Sequence, residues 1–539
     1  MTADTTSATS ASFELTDQPW LPVLFEDGRE DVLSLRDAFA RAGEIRRLVG
    51  DVPTQEFALV RLLLAIVHDA VDGPEDTEAW QELWHSDEPF APVAAYLDQH
   101  RECFDLLHPE TPFFQVAEVR TGKDEVASLN RIVADVPNGE PFFTMRFPGV
   151  DRISFAEAAR WLVHAHAFDT SGIKTAAVGD PRAKGGKVYP QGVGWAGNLG
   201  GVYVEGSSLR ETLLLNLVAA DAEVIRVGDD DRPAWRRRHT VSEADDLAER
   251  PSGPRDLYTW QSRRVRLHHD GRSVHGVVLC YGDPLSPHNR HRDEPMSAWR
   301  RSTAQEKKLG KPLVYLPVQH DPARAAWRGL QALIAPRSGR EEGDRVVRPP
   351  IMDWLAHLVL EEALPRDRLF RARTAGAVYG TQQSVIDDLV EDNVTMAVVL
   401  LHESDRRLGD TAVQAVEDAD RAVQALGTLA GNLAAVVGTD AGPHEATAKN
   451  LGYGALDAPF RDWLSELRPD SDPVAERHRW QKQAHRIIRE LGDQLVSQAG
   501  VVAWEGRITD DGDWHNASWA ELRFRRDLAR ALPNSHGSE

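Results

Sequence analysis

Apolar and polar residues follow helical spacing in parts of the first 225 residues and short alternating runs elsewhere. An apolar run enters a predicted β-hairpin at Asp27-Gly28, and residues 54–71 predict a buried helix. The segment 172–206 is rich in glycine and lysine and lacks periodicity, so we expect a long functional loop there. Two capping boxes predict the starts of the helices on either side of this loop: Ser154 with Glu157, and Ser208 with Glu211.

The middle and the end of the chain differ in periodicity. From about 225 to 350, short β-like runs alternate with loops rich in proline, arginine and histidine. Farther on, Ser384 and Asp387 cap a predicted helix that continues to the region of Gly409, and a glycine-rich linker is expected over 438–454. Three apolar stripes predict the remaining helices: Val413, Val416, Val423 and Leu426; Trp480, Ala484, Ile487, Leu491 and Leu495; and Trp519, Leu522, Ala529 and Leu532.

These patterns predict an α+β protein with a large mixed α/β N-terminal domain followed by a C-terminal four-helix bundle. The expected divisions are a disordered tail over 1–12, the mixed domain over 13–370 and the bundle over 371–539. The 539 residues exceed the size at which a single hydrophobic core stops growing, which agrees with more than one domain.

Composition excludes several classes of protein. No run of about 18 uncharged apolar residues predicts a transmembrane helix, and the first dozen residues lack the features of a signal peptide. Cys103 and Cys280 are the only cysteines, which excludes a disulfide scaffold and a four-thiolate zinc site and favours a cytoplasmic location. The net charge of −22 argues against a general binder of nucleic acid or of anionic membranes.

Basic residues are nevertheless concentrated locally. Between Ser286 and Lys311, seven Lys or Arg against three Asp or Glu give a net charge of +4. Further basic clusters lie at 236–238 and at Arg263, Arg264 and Arg266. Such segments are either solvated loop charge or a local surface for a polyanion, and the pattern leaves both interpretations open.

A glycine motif suggests one alternative function. Gly192-Val-Gly194-Trp-Ala-Gly197 matches the dinucleotide-binding pattern G-x-G-x-x-G. Pro190 interrupts the strand that should precede this pattern, and the glycines disfavour the helix that should open within it. A flexible loop is therefore the main interpretation, with a dinucleotide-dependent oxidoreductase as an alternative. Cationic neighbours would let the loop backbone approach a phosphate or a groove floor: Lys174, Arg182, Lys184 and Lys187.

Histidines suggest another alternative. His164 and His166 lie two apart on a predicted helix, where their side chains diverge and cannot share one ion, so His166 is expected in the core. A metal-dependent His-Asp phosphohydrolase or nuclease would use dipeptides that occur three times in the chain: His68-Asp69, His269-Asp270 and His320-Asp321.

Thr381-Gln382-Gln383 lies directly before the Ser384 cap. Two amides would then stand on a turn at a helix N-terminus, where backbone N–H groups are free and the helix dipole is positive. The segment is either a polar loop or a device that presents amides to nucleotide edges or inserts them between bases.

Four segments in order along the chain resemble the CasA family, the large subunits of the type I-E CRISPR surveillance complex Cascade. The C-terminal helical bundle agrees with this family. The segments are 15–23, similar to D-x-W-I-P-V; 108–115, similar to H-P-F-M-Q; 203–216, similar to F-V-x-G-x-x-L-R-x-T-x-L-L-N; and 379–385, similar to Y-x-x-N-Q-A-S-I.

The resemblance implies a non-enzymatic subunit of an antiviral ribonucleoprotein that needs no cofactor and no metal. Guide RNA would read the target by base pairing, and the protein would read a short adjacent motif, the PAM, from the minor groove of double-stranded DNA. The implied partners are other Cascade subunits, CRISPR RNA, target DNA and a helicase-nuclease effector, with no membrane.

The resemblance also implies roles for residues. The family's glycine loop falls within 185–197 and matches best at Gly185 and Gly186, and a glutamine wedge that starts R-loop formation corresponds to Thr381, Gln382 and Gln383. Thr381 and Gln383 depart from the family's Asn and Ala, so a different PAM preference is expected. The remaining candidates are Lys184, Lys187, Gly192, Gly194 and Gly197 at the loop, Arg290 or Arg292 for the PAM-contacting lysine, and Phe142 or Phe143 for anchoring the guide-RNA 5′ end.

Overall fold

The structure is a computed structural model that describes residues 11–134, 149–334, 346–401, 406–508 and 512–536. It divides into two compact units. The first unit comprises 1–324, 337–363 and 371–392, and the second comprises 325–336, 364–370 and 393–539. Residues 371–392, which we expected in the bundle, cluster with the first unit because the strand over 369–379 pairs with the strand over 201–205.

Small antiparallel sheets run through the chain up to residue 397. β2-β1-β3, β13-β12-β6 and β10-β9-β11 are three-stranded, whereas β4-β5 and β7-β8 are two-stranded. The strands are β1 (Leu21–Phe25), β2 (Glu30–Leu33), β3 (Ile45–Leu48), β4 (Lys174–Thr175), β5 (Lys187–Val188), β6 (Gly201–Glu205), β7 (Arg263–His269), β8 (Val274–Tyr281), β9 (Trp299–Arg301), β10 (Tyr315–Pro317), β11 (Val346–Val347), β12 (Leu369–Tyr379) and β13 (Ile386–Ala397).

Helices pack against these sheets. Both predicted N-caps are confirmed, because the hydroxyls of Ser154 and Ser208 accept hydrogen bonds from the backbone N–H groups of Glu157 and Glu211. The predicted buried helix is α2, whose residues from Thr54 to Asp69 are all buried. The helices as far as residue 360 are α1 (Leu35–Ala40), α2 (Pro53–Ala70), α3 (Thr77–His85), α4 (Ala91–Gln99), α5 (Phe155–Phe168), α6 (Leu209–Leu215), α7 (Pro254–Tyr258), α8 (Thr303–Leu309), α9 (Leu330–Ile334) and α10 (Pro350–Leu360), of which α9 belongs to the second unit.

Long helices dominate the second unit. Four of them pack as the predicted bundle, with α11 against the other three. Its elements beyond residue 400 are α11 (Arg406–Val436), α12 (Ala441–Glu466), α13 (Pro473–Ser497), α14 (Val501–Glu505), β14 (Arg507–Ile508), β15 (Trp514–His515) and α15 (Ala517–Ala531). The fold class predicted from the sequence is therefore confirmed. Two of the predicted secondary-structure elements differ from the structure.

The first correction concerns the segment after Ser384. The predicted helix is wrong, because residues 386–397 form strand β13 and pair with β12. The second concerns the predicted linker over 438–454, most of which lies within helix α12. Its glycines allow close helix contact: a Cβ atom at Gly452 would lie 3.1 Å from the Val423 side chain on α11.

Among the helices in the described part of the chain, none combines the length and the apolar character needed to cross a membrane.

Candidate nucleic-acid interface

The hairpin between β12 and β13 ends in Thr381, Gln382 and Gln383, here called the glutamine tip. The Gly380 N–H donates to the Val385 carbonyl at 3.1 Å, and the Gln383 N–H donates to the Gly380 carbonyl at 2.9 Å. These bonds close a tight turn at the end of a long hairpin. The tip is therefore carried by two strands, and not by the helix N-terminus that we predicted.

Both glutamines adopt the left-handed backbone conformation, with φ of +57° at Gln382 and +55° at Gln383. This conformation costs a residue with a side chain on the order of 1 kcal/mol, and such strain clusters at functional sites. Thr381 and Gln382 are exposed and Gln383 is half-buried. Among the described residues, no hydrogen bond joins either glutamine side-chain amide to the rest of the protein, so both amides are available to a ligand.

Lys184, Gly185, Gly186 and Lys187 form a second tip, here called the lysine hairpin. The N–H groups of Lys184 and Lys187 donate to each other's carbonyls at 2.8 and 3.2 Å. Gly185 and Gly186 have φ of +59° and +75°, the pattern of a two-residue type I′ turn that favours glycine at both positions. All four residues are exposed, and no Cβ at either glycine would meet another atom within 4 Å. Two cations thus flank an unobstructed backbone.

The other three candidate glycines lie deeper. Gly194 and Gly197 are buried, and added Cβ atoms would lie 2.5 Å from the Ala167 carbonyl carbon and 2.2 Å from the Tyr379 hydroxyl. Gly192 has φ of +102°, and its carbonyl accepts a hydrogen bond from Arg263 at 3.0 Å. A 3-10 turn follows over Trp195–Asn198, so the segment lacks the α-helix of a dinucleotide site. Gly194 and Gly197 therefore act as packing positions beneath the surface.

The five residues 168–172, which begin with the last residue of helix α5, bond to both sides of the site and are here called the connector. The Phe168 carbonyl accepts from the Tyr379 hydroxyl at 2.7 Å, next to the glutamine tip. The Ser171 N–H donates to the Gln383 carbonyl at 2.8 Å. The connector backbone thus binds the glutamine tip directly at Gln383 and binds the neighbouring Tyr379 side chain.

A buried charge cluster attaches the connector to the lysine hairpin. The Asp169 carboxylate accepts from Lys174 Nζ at 2.7 Å and from Arg263 Nε. Lys174 begins strand β4, which pairs with β5 at the base of the lysine hairpin. Burial alone would raise the pKa of the Asp169 carboxyl, but the charges of Lys174 and Arg263 hold it below the usual value. Burial lowers the pKa of the Lys174 ammonium in spite of this partner.

The segment after the lysine hairpin is anchored by a second buried pair. Arg61 on α2 donates two parallel hydrogen bonds to Glu294, at 2.8 and 2.9 Å, and the Trp195 indole N–H donates to the same carboxylate at 2.7 Å. Arg61 and Glu294 are 2% and 0% exposed. Because one buried carboxylate binds both a helix and the glycine segment, it fixes the base of the site.

The basic segment 286–311 is partly surface and partly internal pairing. Arg290 donates to Asp293 at 2.9 Å, so its charge is paired within the segment. Arg292, the other candidate, is exposed. The exposed cations of this segment are Arg292, Arg300, Lys307, Lys308 and Lys311.

The cluster at Arg263, Arg264 and Arg266 is mostly internal, whereas Arg236 and Arg238 of the cluster at 236–238 are exposed. Arg263 and Arg264 are 2% and 1% exposed and pair with Asp169 and Asp283, so an interpretation of this cluster as a polyanion surface is wrong. Sequence reasoning noticed these arginines but missed their acidic partners, which lie distant in the chain. The predicted guide-RNA contacts Phe142 and Phe143 lie outside the described residues.

The histidines do not form a metal site in the described ranges, where no three His, Cys, Asp or Glu side chains come together as metal ligands. His166 is buried as predicted and bonds to the Phe114 carbonyl at 2.9 Å. His68 is buried beside the Gly73 carbonyl, and its pKa is lowered to about 3 by burial. Asp69 binds the Tyr96 hydroxyl at 2.6 Å and two arginines, so it is engaged within the fold. This geometry does not favour the phosphohydrolase alternative.

The sequence model of the family CRISPR-associated protein Cse1 matches residues 14–491. A curated CasA/Cse1 protein from Thermus thermophilus is 31% identical over 339 residues, which are 61% of this chain and 61% of that protein. Cse1 of Thermobifida fusca has a similar structure, with a TM-score of 0.91 at 60% identity over 97% of this chain and 99% of the other. A chain of a CRISPR RNA-guided surveillance complex shares the fold, with a TM-score of 0.68 at 18% identity over 97% and 99%.

The chain therefore belongs to the CRISPR-associated Cse1 (CasA) family. Its fold combines small sheets with a helical bundle and carries two exposed polar tips on one connector. The aligned region spans about three fifths of the length of the curated relative.

Proposed function

We propose that this chain is the large subunit of a type I-E CRISPR RNA-guided surveillance complex. It recognises a PAM in double-stranded DNA from the minor groove and opens the duplex to start R-loop formation. Its partners are the other Cascade subunits, CRISPR RNA, target DNA and a helicase-nuclease, and it works in the cytoplasm without a catalytic centre of its own. Guide RNA supplies sequence recognition through base pairing, so the protein reads only a short motif.

The lysine hairpin suits the minor groove. That groove is about 6 Å wide, so a turn without side chains at Gly185 and Gly186 can bring backbone groups to its floor. Lys184 and Lys187 flank this turn and are exposed, where they contact the phosphates on either side. Arg292 and its exposed neighbours extend the basic surface for the same duplex. An acidic remainder of the protein limits binding of DNA that lacks the motif.

The observation that carries the proposal is the glutamine tip. Two exposed or half-exposed glutamines stand on a turn whose left-handed backbone fixes the directions of their Cα–Cβ bonds before any ligand arrives. Amide groups can hydrogen-bond to base edges, and insertion between base pairs costs a few kcal/mol per unstacked step. A preformed turn lowers the additional cost of ordering the protein.

The test is the double variant Gln382→Ala with Gln383→Ala in the complete surveillance complex. We expect unwinding of PAM-bearing duplex to slow by roughly tenfold or more, because the loss of two inserted amides removes a few kcal/mol of stabilisation from the opened state. Incorporation of the chain into the complex should not change. Fluorescence of a base analogue next to the PAM measures the unwinding.

The matched control replaces two exposed glutamines at the C-terminal end of helix α13, Gln494→Ala in its last turn with Gln498→Ala at its C-cap. This control should unwind DNA at the rate of the unmodified chain. Equal unwinding by the tip variant and the control would refute the role of the glutamine tip.

A further inference from the structure

We infer that Arg263 is a positioning residue that fixes the lysine hairpin and the glutamine tip at one spacing. At this spacing the lysine hairpin contacts the PAM while the glutamine tip opens the neighbouring base pairs. The inference rests on the proposed function, because it assigns both tips to one duplex. It adds a residue that is itself buried and touches no DNA.

The Arg263 guanidinium joins three stretches of backbone. It binds the Asp169 carboxylate through Nε, and one terminal nitrogen donates to the carbonyls of Asp169, Thr170 and Gly192 at 3.0, 3.1 and 3.0 Å. The other terminal nitrogen donates to the Ser262 carbonyl at 2.8 Å on its own chain segment. One side chain thus holds the connector, the segment after the lysine hairpin and the beginning of strand β7.

Each tip depends on the connector through separate bonds. The glutamine tip is bound by the Ser171 N–H and, through Tyr379, by the Phe168 carbonyl. The lysine hairpin is bound by Lys174, whose ammonium contacts Asp169. A shift of the connector therefore moves the attachment points of both tips together.

Tyr281 completes this arrangement at the end of the connector. Its hydroxyl donates to the Gly172 carbonyl at 2.6 Å and accepts from the Gly172 N–H at 3.0 Å. Its ring lies 4.9 Å from the Arg263 guanidinium carbon and 5.4 Å from Lys174 Nζ. The two cations and the connector thus share one aromatic support.

An arginine is required here because of its shape. The guanidinium is a planar fork with five N–H donors, whereas a lysine ammonium is a compact charge with three. In Arg263→Lys the charge opposite Asp169 remains, but the bonds to Thr170 and Gly192 are lost. This variant therefore loosens the spacing while it retains the ion pair.

The direct test measures the distance between the tips in the full-length chain. Spin labels are attached at Ala183→Cys and Ser384→Cys, both exposed, after Cys103→Ser, while the buried Cys280 stays in place. We expect a narrow distance distribution in the parent and a clearly broader one with Arg263→Lys. The matched control is Arg266→Lys on the same strand, whose parent side chain bonds to the Ala117 carbonyl, and it should leave the distribution narrow.

The functional readout uses the same variants without labels in the surveillance complex. Arg263→Lys should slow unwinding of PAM-bearing duplex roughly three- to tenfold, the range seen for residues that act through others. Added to Gln382→Ala with Gln383→Ala, it should cause little further loss, because positioning has no effect once the amides are absent. If Arg263→Lys merely lowered the folded fraction, it would slow unwinding by the same factor in the parent chain and in the chain that carries Gln382→Ala with Gln383→Ala.

An unchanged distance distribution with Arg263→Lys overturns the inference, as does equal broadening with Arg266→Lys. If Arg263→Lys does not fold, Tyr281→Phe, which removes only the hydroxyl on Gly172, carries the same two measurements with the same expected directions. If the glutamine variant alone unwinds DNA normally, the proposed function fails, while the distance measurement still decides whether Arg263 sets the spacing.

Discussion

The two compact units are stabilised by different kinds of interior. In the first unit, charged residues lie inside and hold irregular segments, as Glu294 and Arg61 do at the glycine segment and Asp169 and Arg263 do at the connector. In the second unit, long helices pack mainly through apolar and small residues, with Leu426, Leu456 and Phe460 fully buried. One buried carboxylate, Asp418, lies among these helices and pairs with Arg421 and Arg477. Irregular backbone cannot satisfy its own carbonyls, so arginines supply the missing donors. The stability of the first unit should thus depend more on buried charge, and that of the second more on packed volume.

Acidification should produce the largest difference in stability between the two units. Burial lowers the pKa of His68, His164 and His166 to about 3 and that of His239 to about 4, and all four belong to the first unit. Their folded-state pKa values lie below the unfolded value near 6.5, so they contribute stability above that pH and lose it as the pH falls. At pH 5 the loss is about 2 kcal/mol for each histidine.

Asp231 and Glu56 oppose this trend, because burial raises the pKa of both carboxyls, that of Asp231 to about 6, and their protonation on acidification relieves an unfavourable charge. The described histidines of the second unit whose side chains can be assessed are not buried: His444, His478, His485 and His515. Hydrogen exchange by mass spectrometry at pH 7 and pH 5, corrected for intrinsic rates, should show that first-unit peptides lose protection first. Earlier loss in α11 to α13 would contradict the comparison.

Removal of one buried charge should have the next largest effect. Glu294→Ala leaves the Arg61 guanidinium buried without a counter-charge, which is expected to lower the unfolding free energy of the first unit by about 3–5 kcal/mol. Glu294→Gln should lose most of this as well, because it restores shape but not charge. Urea denaturation followed by exchange of first-unit peptides measures the change.

The control for that prediction is an ion pair on the surface of the second unit. Arg486 and Glu490 lie one helical turn apart, with 64% and 59% of their side chains exposed. Arg486→Ala should change stability by less than about 0.5 kcal/mol. A comparable loss in the two variants would mean that burial does not set the importance of charge here.

The smallest predicted effects concern volume in the second unit. A Cβ at Gly492 on α13 would lie 2.2 Å from the buried Phe524 ring, so Gly492→Ala should destabilise by about 1 kcal/mol after the gain in helix propensity is subtracted. At Gly454 on α12 nothing lies within 4 Å, so Gly454→Ala should stabilise by up to about 1 kcal/mol. Thermal denaturation should show melting temperatures that move in opposite directions.

Local signals predicted the helices well where sequence and packing agree. The capping boxes at Ser154 and Ser208 mark true helix starts, because their geometry involves only residues three apart. Strand β13 was read as a helix, since its pairing with β12 is a tertiary contact that local periodicity does not contain. The sequence predicts a linker in place of helix α12, because glycines are typical of loops. In the structure these glycines allow close contact with α11.

The candidate site was predicted in part. The residues of both tips were identified through the family resemblance, whereas their attachment was not. Asp169, Ser171 and Arg263 carry no recognisable motif, and Asp169 and Arg263 meet across 94 positions of sequence. Such partners can be read only from the folded chain.

The construction of the glutamine tip also determines which side chains can be exchanged there. The turn is closed by backbone groups of Gly380, Gln383 and Val385 and tied to Ser171 through a carbonyl, so no side chain of 381–383 is needed to build it. Different side chains can therefore be exchanged on a constant support. Asparagine and glycine suit the left-handed positions best, and β-branched residues suit them least. Substitutions at 381–383 can therefore change the side chains of the tip without changes elsewhere in the protein.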